Sequence, residues 1–592
     1  MRPLLAAVGL LLALTAVPSR THGSPPPSDV RTPVAFLGVH VIPMDSERVL
    51  SDQTVVVSGR KIQSIGPSRS TAIPKGARVV HAAGQYLMPG LADMHVHLYT
   101  PEELILNVVN GVTTVFNLDG RPVHLFWRQR IAAGELLGPA IYSAGPMFNR
   151  PRTPQEAVAE VDRQAAAGYD AVKIYNQVSK AEYAALTAEA RKKKLVLVGH
   201  VAREPGFAAT LAAGQSIAHA EEFLYTFFND GPHPEREIDH PLDEKKIPKA
   251  VALTREAGIF VIPTLVAFHN IVRQATALPE YLRNPDLAFL SPAQRRQLEP
   301  ERNTYANRFP KEVLPALSID YEFQRKLVKA LHEGGVPIVT GTDVSWLGVP
   351  GFSLVEEVEN LRDLGFTPFD ALKAATSDCA RFLKREGEFG TIAPGRRADL
   401  VLLRHNPLDD VRNLRGLTGV MVSGRWIPSE ERRRLLASIP ASYRDGVDSL
   451  TRRAETDLPG VEKYLAENDP LGLTASAVLA RLAASGGPGR VVEVLRRSHQ
   501  RNPRSRLTEE ETINQLGYQL LAEKQSQTAI EVFRLNTELY PKSGNAFDSL
   551  AEAYLGMGNK DLARKFYRRA LEVQPGYPNA RAAKKLLESS LE

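Results

Sequence analysis

The chain has 592 residues, 43% of them hydrophobic and 24% charged, with a formal net charge of +6. That length exceeds what one hydrophobic core serves, so several domains are expected, and the small charge gives no basis for nucleic acid or an anionic membrane as a partner. Cys379 is the only cysteine, which excludes an internal disulfide and a thiolate metal site.

Residues 1–23 read as an export signal: Arg2 precedes the apolar run Leu4–Val17, and Pro18-Ser19 opens a polar stretch. A run of about 14 residues is too short to span a bilayer and has the length of a signal-peptide core. No later segment holds ~18 uninterrupted apolar residues, so the mature chain is expected to be periplasmic or secreted, with no membrane span. Ser24–Ser28 (Ser-Pro-Pro-Pro-Ser) reads as a stiff linker.

Short strand candidates follow at Val39–Ile42, Thr54–Val57, Lys61–Ile65 and Arg78–His81, punctuated by Gly59-Arg60 and Gly66-Pro67. Residues 24–88 are thus expected to form the first part of a small β-sandwich. An alternation of strand and helix comes next. The strand candidates are Leu91–His97, Val112–Leu118, Ala140–Ala144, Ala171–Tyr175, Leu195–His200, Ser216–His219, Ile259–Thr264 and Pro337–Asp343. Amphipathic stretches such as Pro101–Asn110, Pro154–Ala167, Lys180–Lys193 and Glu244–Ala257 lie between them. Eight such units over residues 89–387 have the size of an α/β fold of the (β/α)8 TIM-barrel type. Val266–Ser318, rich in Pro, Arg and Asn, reads as one long loop serving as a lid. Strands return with Ala398–Leu403 and Leu417–Val422, so residues 388–430 should complete the sandwich, with the barrel inserted into it.

Residues 431–487 read as a helical linker and 488–592 as helical repeats. At an offset of 34, Leu516 matches Leu550, Gly517 matches Ala551, Leu521 matches Leu555, Ala529 matches Ala563, Phe533 matches Tyr567 and Pro541 matches Pro575. That period and pattern are those of tetratricopeptide repeats. A weaker copy sets Val491, Leu495 and Pro503 38 residues ahead of Ala529, Phe533 and Pro541.

The chemistry concentrates at predicted strand ends. In Met94-His95-Val96-His97 two imidazoles at i and i+2 share one face of a strand and can hold one metal ion together. Lys173, His200, His219 and Asp343 each lie at or near the C-terminal end of a further strand candidate, on the face where barrel active sites are built. His95 and His97 with Asp343 could hold one metal, and His200 with His219 a second. Metal at such a site lowers the pKa of a bound water towards ~7, which points to hydrolysis. Lys173 is a poor ligand while protonated. Buried beside cations it can lose its proton and react with carbon dioxide, giving a carbamate able to bridge two metals; otherwise it is a buried ion-pair partner. His124, His269 and His332 lack this register and read as structural, with His269 an outside candidate. Arg150 and Arg152 follow the third barrel strand, where a guanidinium could take a substrate carboxylate, although a solvated surface suits them as well.

These motifs resemble the amidohydrolase superfamily, in particular the branch with imidazolonepropionase and metal-dependent Xaa-Pro dipeptidases. The resemblance covers residues 34–427. It rests on Pro89-Gly90-Leu91-x-Asp93-x-His95-x-His97, Val172-Lys173-Ile174, His200, Gly214-x-x-Ile217-x-His219, Gly341-Thr342-Asp343, Ala375-Thr376 and Gly395-x-x-Ala398-Asp399-Leu400-Val401. It implies two divalent metals, zinc for preference, held by His95, His97, carboxylated Lys173, His200, His219 and Asp343. It further implies that Asp343 shuttles a proton to the leaving nitrogen and that Tyr175 touches substrate. The expected reaction is hydrolysis of a C–N bond in a small amide, dipeptide or cyclic amide. The competing expectation is an inactive barrel acting as a scaffold that binds peptides through its repeats. A protein or peptide partner for the repeats and a homo-oligomer are also expected.

Overall fold

The computed structural model describes residues 32–148, 153–229, 242–344, 347–577 and 579–588. The export signal, the Ser24–Ser28 linker, Arg150 and Arg152 lie outside them. Five strands come first: β1 (Val34–Val41), β2 (Leu50–Ser58), β3 (Lys61–Pro67), β4 (Arg78–His81) and β5 (Tyr86–Pro89). The barrel staves are β6 (Leu91–Val96), β7 (Val112–Asn117), β8 (Ala140–Ser143), β9 (Ala171–Ile174), β10 (Val196–Gly199), β11 (Ser216–Ala218) and β12 (Val261–Ile262). After the barrel come β13 (Leu400–Leu403), β14 (Leu417–Val422) and β15 (Arg425–Pro428).

The staves pair in parallel as β6-β7-β8 and β9-β10-β11-β12. Single bridges Ala144–Ala171 and Phe148–Ile174 join the two sets. Residues 337–344 supply the eighth stave, bridging Val261 to Ile338 on one side and Val96 to Val344 on the other. The ring is therefore closed, a TIM barrel. Ala92, Met94, Phe116, Ala171, Val198, Ile262 and Val339 share one apolar cluster with Cys379, Phe382 and Phe389. Burying this cluster closes the end of the barrel away from the strand C-termini and leaves the opposite end free for polar groups.

The strands before and after the barrel belong to one eight-stranded sheet, in the order β15-β14-β13-β5-β1-β2-β3 with β4 beside β1. Two chain segments more than 300 residues apart thus share one ladder, which holds the barrel's ends together.

The stretch expected as a single lid loop is helical: Leu265–Tyr281, Pro292–Gln297, Thr304–Arg308 and the start of Leu314–Glu333. Two of these helices have five and six residues, too short to show a 3.6-residue period. Local chemistry builds them nonetheless. Ser291 and Gln294 form a capping box with Pro292 at the first helical position, and Asn303 caps the next helix. Leu278, Tyr281, Leu287, Leu290 and Leu298 bury one another with Val349.

The C-terminal region is a series of helices from Ser429–Thr456 to Ala580–Glu588, with its own apolar core. It rests on the barrel. The Trp127 indole N–H donates to the Glu467 carbonyl at 2.8 Å, and Arg432 donates to the Val109 carbonyl at 3.1 Å. The hydroxyls of Thr100 and Tyr443 lie 3.2 Å apart, beside a small cluster of Leu106, Ile439 and Tyr443. Among the described residues no helix is long and apolar enough to cross a membrane.

Candidate metal centre

The staves bring all six expected side chains to one mouth. His95 is the second-last residue of β6 and His97 lies one residue beyond its end; Lys173 is on β9, while His200 and His219 directly follow β10 and β11. Asp343 ends the eighth stave. Its Oδ1 lies 3.2 Å from His95 Nε2 and 3.0 Å from His97 Nε2. Lys173 Nζ is 3.3 Å from His95 Nε2. The His219 ring sits between those of His95 and His200, with centroids at 4.6 and 4.5 Å. Donor atoms of His95, His219 and Asp343 all lie within 4.8 Å of one another.

The backbone at this mouth is strained. His219, Thr264 and Asp343 have φ of 77°, 49° and 50°, a left-handed conformation that non-glycine residues rarely hold. Such strain, of order 1–3 kcal/mol each, persists where the surroundings impose it and gathers at functional sites. Asp93 supplies part of that restraint. Its Oδ1 accepts from the N–H groups of His95 and Thr342, and its Oδ2 accepts from the Thr342 hydroxyl at 2.6 Å. This staples β6 to the eighth stave. A Cβ at Gly341 would meet Ile262 at 2.3 Å and His95 Cβ at 2.8 Å, so glycine there admits Asp343 to its place.

The imidazoles are oriented from behind. His200 Nδ1 pairs with Glu222 Oε1 at 2.8 Å, and Glu222 also accepts from the Val201 N–H and Arg203. His219 Nδ1 pairs with the Thr264 hydroxyl at 2.9 Å. Both rings keep Nε2 for another partner, the usual arrangement of a ligating histidine. Burial pushes His95 and His219 well below the ordinary histidine range, so both are neutral donors. Burial also pulls Lys173 down to about 8, against the opposing charges of Asp343 and Glu222. Asp343 would rise on burial alone, but the His97 hydrogen bond and the neighbouring cations hold it well below the usual carboxylate range. Four neutral-capable imidazoles, an ionised carboxylate and an activated lysine form a donor set that fits divalent metal.

Tyr175 stands beside His200, with ring centroids 4.2 Å apart. His124 is structural: its Nδ1 accepts from the Arg121 N–H, so Nε2 donates to the Leu98 carbonyl, fixing the turn after His97. His269 stacks on Tyr321 and His332 on Phe366, both away from the centre. Sequence reasoning gave no role to Glu222, Glu221 or Thr264. Glu221 Oε1 lies 3.9 Å from His219 Nδ1, and its Oε2 is buried without a partner. The doublet Glu221-Glu222 directly after a ligand-bearing strand was the available signal. The lid's Tyr305 feels the charges of Asp343 and Glu221, and burial raises its hydroxyl above the usual tyrosine range.

Residues 86–427 match the amidohydrolase family model. The chain belongs to that family. An adenine deaminase from Mesorhizobium japonicum is 24% identical over 373 residues, covering 60% of this chain and 51% of the relative. The chain spans about half the length of the curated adenine deaminases it matches. A structure from Bifidobacterium longum assigned as a prolidase is 25% identical with a TM-score of 0.53, covering 69% of this chain and 99% of that one. A Xaa-Pro dipeptidase structure with bound methionine is 20% identical with a TM-score of 0.52, covering 67% of this chain and 100% of that one. At that identity the last match speaks for the fold alone.

Proposed function

We propose that this protein hydrolyses a C–N bond in a small amide, Xaa-Pro-type dipeptide or cyclic amide, using two divalent metals, zinc for preference. The observation that carries this reading is the convergence of His95, His97, Lys173, His200, His219 and Asp343 at one barrel mouth. Metal held by these residues would supply an activated water at neutral pH and Lewis acidity for the substrate carbonyl. Asp343, ionised and in contact with His95 and His97, accepts the proton at its carboxylate and passes it to the leaving nitrogen. Lys173, lowered to about 8 by burial, has an unprotonated fraction that could take up carbon dioxide as a carbamate and so would serve as an anionic ligand. Tyr175, against His200, is placed to orient the substrate. Burial raises the Glu221 carboxyl well above the usual carboxylate range, and its Oε2, without a partner among the described residues, offers a hydrogen bond to the substrate.

Finer readings of the other regions accompany this one. In the terminal β unit, Phe36 of β1 meets Trp426 of β15 edge-to-face at 4.9 Å, although four strand steps separate them. Backbone bonds from Ile62 to Arg396 and from Ala398 to Arg60 also tie β3 to the segment before β13. Both contacts suit a sheet folded over itself as a sandwich. The helix pairs Glu510–Ala522 with Ser526–Leu539, and Gly544–Gly556 with Lys560–Val573, follow the 34-residue offset and suit tetratricopeptide-like units that bind a peptide or another copy of this chain. The apolar N-terminal segment supports export.

The experiment is elemental analysis of purified protein, followed by a turnover screen with Xaa-Pro dipeptides, N-acyl amino acids, lactams and adenine. Two metals per chain and turnover of one C–N class are expected. Lys173→Ala should lose turnover and regain part of it with added short-chain carboxylic acid. Absence of metal in active protein, or activity confined to phosphoesters or glycosides, overturns the proposal. A scaffold protein would hold metal at most weakly and turn over none of these.

A further inference from the structure

Barrel, lid and C-terminal helices meet at a cleft of about 540 Å³ whose lining includes none of the six residues of the metal centre. Its three walls come from the start of helix Pro101–Val109, from lid residues Ser291–Arg296 and from helices Ser429–Thr456 and Leu473–Arg501. The cleft opens at Thr100, three residues past His97 in sequence.

The helical wall carries an apolar strip. Val447, Leu450, Leu473, Ala477 and Ala480 line it, and the last three recur at i, i+4 and i+7, one face of one helix. The lid wall is cationic. Arg295 and Arg296 both line the cleft, and no carboxylate stands within ion-pairing reach of either guanidinium among the described residues. Arg295 is exposed and Arg296 half-buried; besides burial, the like charge of Arg302 and the carboxylates of Glu299 and Glu523 act on it from beyond ion-pairing distance, and Glu523, like Glu102, lines the cleft. The other cleft arginines are already matched: Arg444 pairs with Asp445 at 3.1 Å and Arg481 with Asp448 at 3.0 Å. A half-buried guanidinium gains from a carboxylate that can pair with it in a fork of two hydrogen bonds. Arg296 has no such partner within reach among the described residues, and the cleft leaves room for one to enter. The cleft also has the volume of a small-molecule site, which runs from about 300 to 1,000 Å³.

We propose that this cleft binds a small apolar carboxylate of about tripeptide size, its acid group pairing with Arg296 and its side chains lying against Leu450, Ala477 and Ala480. A ligand so seated touches the lid and the C-terminal helices at once and fastens one to the other. The assignment stands on the cleft alone and does not depend on which substrate the metal centre takes.

The test uses the full-length protein and two probes, acetyl-Leu-Leu-Leu and its C-terminal carboxamide, titrated by calorimetry. The acid should bind one per chain, about tenfold or more tighter than the carboxamide, the weight of one charge-assisted hydrogen bond. Arg296→Met keeps the apolar stem and should erase that difference. Ala480→Trp fills the opposite wall and should abolish binding of both probes. His97→Asn, which alters the metal centre, should leave binding unchanged. Thermal midpoints of the variants check that each is folded. Equal binding of acid and carboxamide, no binding of the acid, retention of its affinity in both cleft variants, or its loss in His97→Asn overturns the assignment.

Discussion

The barrel mouth and the C-terminal helices are built by opposite rules. At the mouth, His95, Lys173 and His219 are buried polar groups, and three residues hold left-handed backbone. In the helices the core is mainly apolar, buried acids such as Asp469 and Asp548 are held by hydrogen bonds from the Ala475 N–H and the Tyr577 hydroxyl, and other charge sits outside in pairs such as Arg496–Glu538 at 2.6 Å and Arg569–Glu572 at 3.1 Å. Among the described residues there, Lys524 alone, in the turn between two helices, combines a side chain with positive φ. The first region lowers local stability to hold a donor set in one geometry, and the second does the reverse. The barrel can bear its strained mouth because the remaining apolar clusters, the shared terminal sheet and the docked helices over-determine its position.

The comparison breaks most visibly at Asp343. Asp343→Asn keeps an oxygen for metal but cannot carry a proton, so turnover should fall about 10²–10⁴-fold, the usual weight of a general acid–base step. Metal content, read by elemental analysis, should stay near the parent level. Near-normal kcat with full metal would remove Asp343 from the proton path and make it a ligand only.

On the helical side the equivalent break is in packing. Phe533 is fully buried against Gly517, where a Cβ would meet its ring at 2.4 Å. Phe533→Ala leaves a cavity at that close approach and should cost about 3–5 kcal/mol in the helical unit. Denaturant unfolding followed by circular dichroism should show the loss, while bound metal remains unchanged. Metal loss in step with helix loss would mean that the two regions do not differ as argued.

The mouth was far more legible in the sequence than the lid. Period-2 alternation displays His95 and His97 on one face, and Lys173, His200, His219 and Asp343 each close a short apolar run. A six-residue helix such as Pro292–Gln297 leaves no such pattern; only its capping box at Ser291 and Gln294 marks it. The orienting residues were hidden for a different reason. Glu222 meets His200 across 22 residues, and Asp93 meets Thr342 across 249. Such pairs exist only once the ring closes, so no local period reports them. The eighth stave was placed correctly at Pro337–Asp343, although single bridges rather than a regular ladder hold it.

The seam between the two regions offers the smallest and sharpest effect. Glu103, on the helix that follows the His97 turn, is 1% exposed. Its Oε2 accepts from the Tyr99 and Thr100 N–H groups and its Oε1 from Gln294 of the lid. Thr100 in turn touches Tyr443 of the helical region. Burial raises the Glu103 carboxyl to about 7, outweighing the donors that favour its charged form. In the unfolded chain it titrates near 4.5, so between these values the folded state binds the extra proton. The stability from this group is therefore complete below about pH 4.5 and is lost as pH rises through about 7, at most about 3 kcal/mol in all. Other buried acids share that window, so the informative quantity is the difference between parent and Glu103→Gln. The amide keeps an acceptor but cannot titrate. Urea unfolding between about pH 5 and 8 should give a flatter stability curve for the variant, with the two curves converging at the acid end. Parallel curves would show that Glu103 is ionised in the folded protein, and that its three donors rather than burial govern the seam.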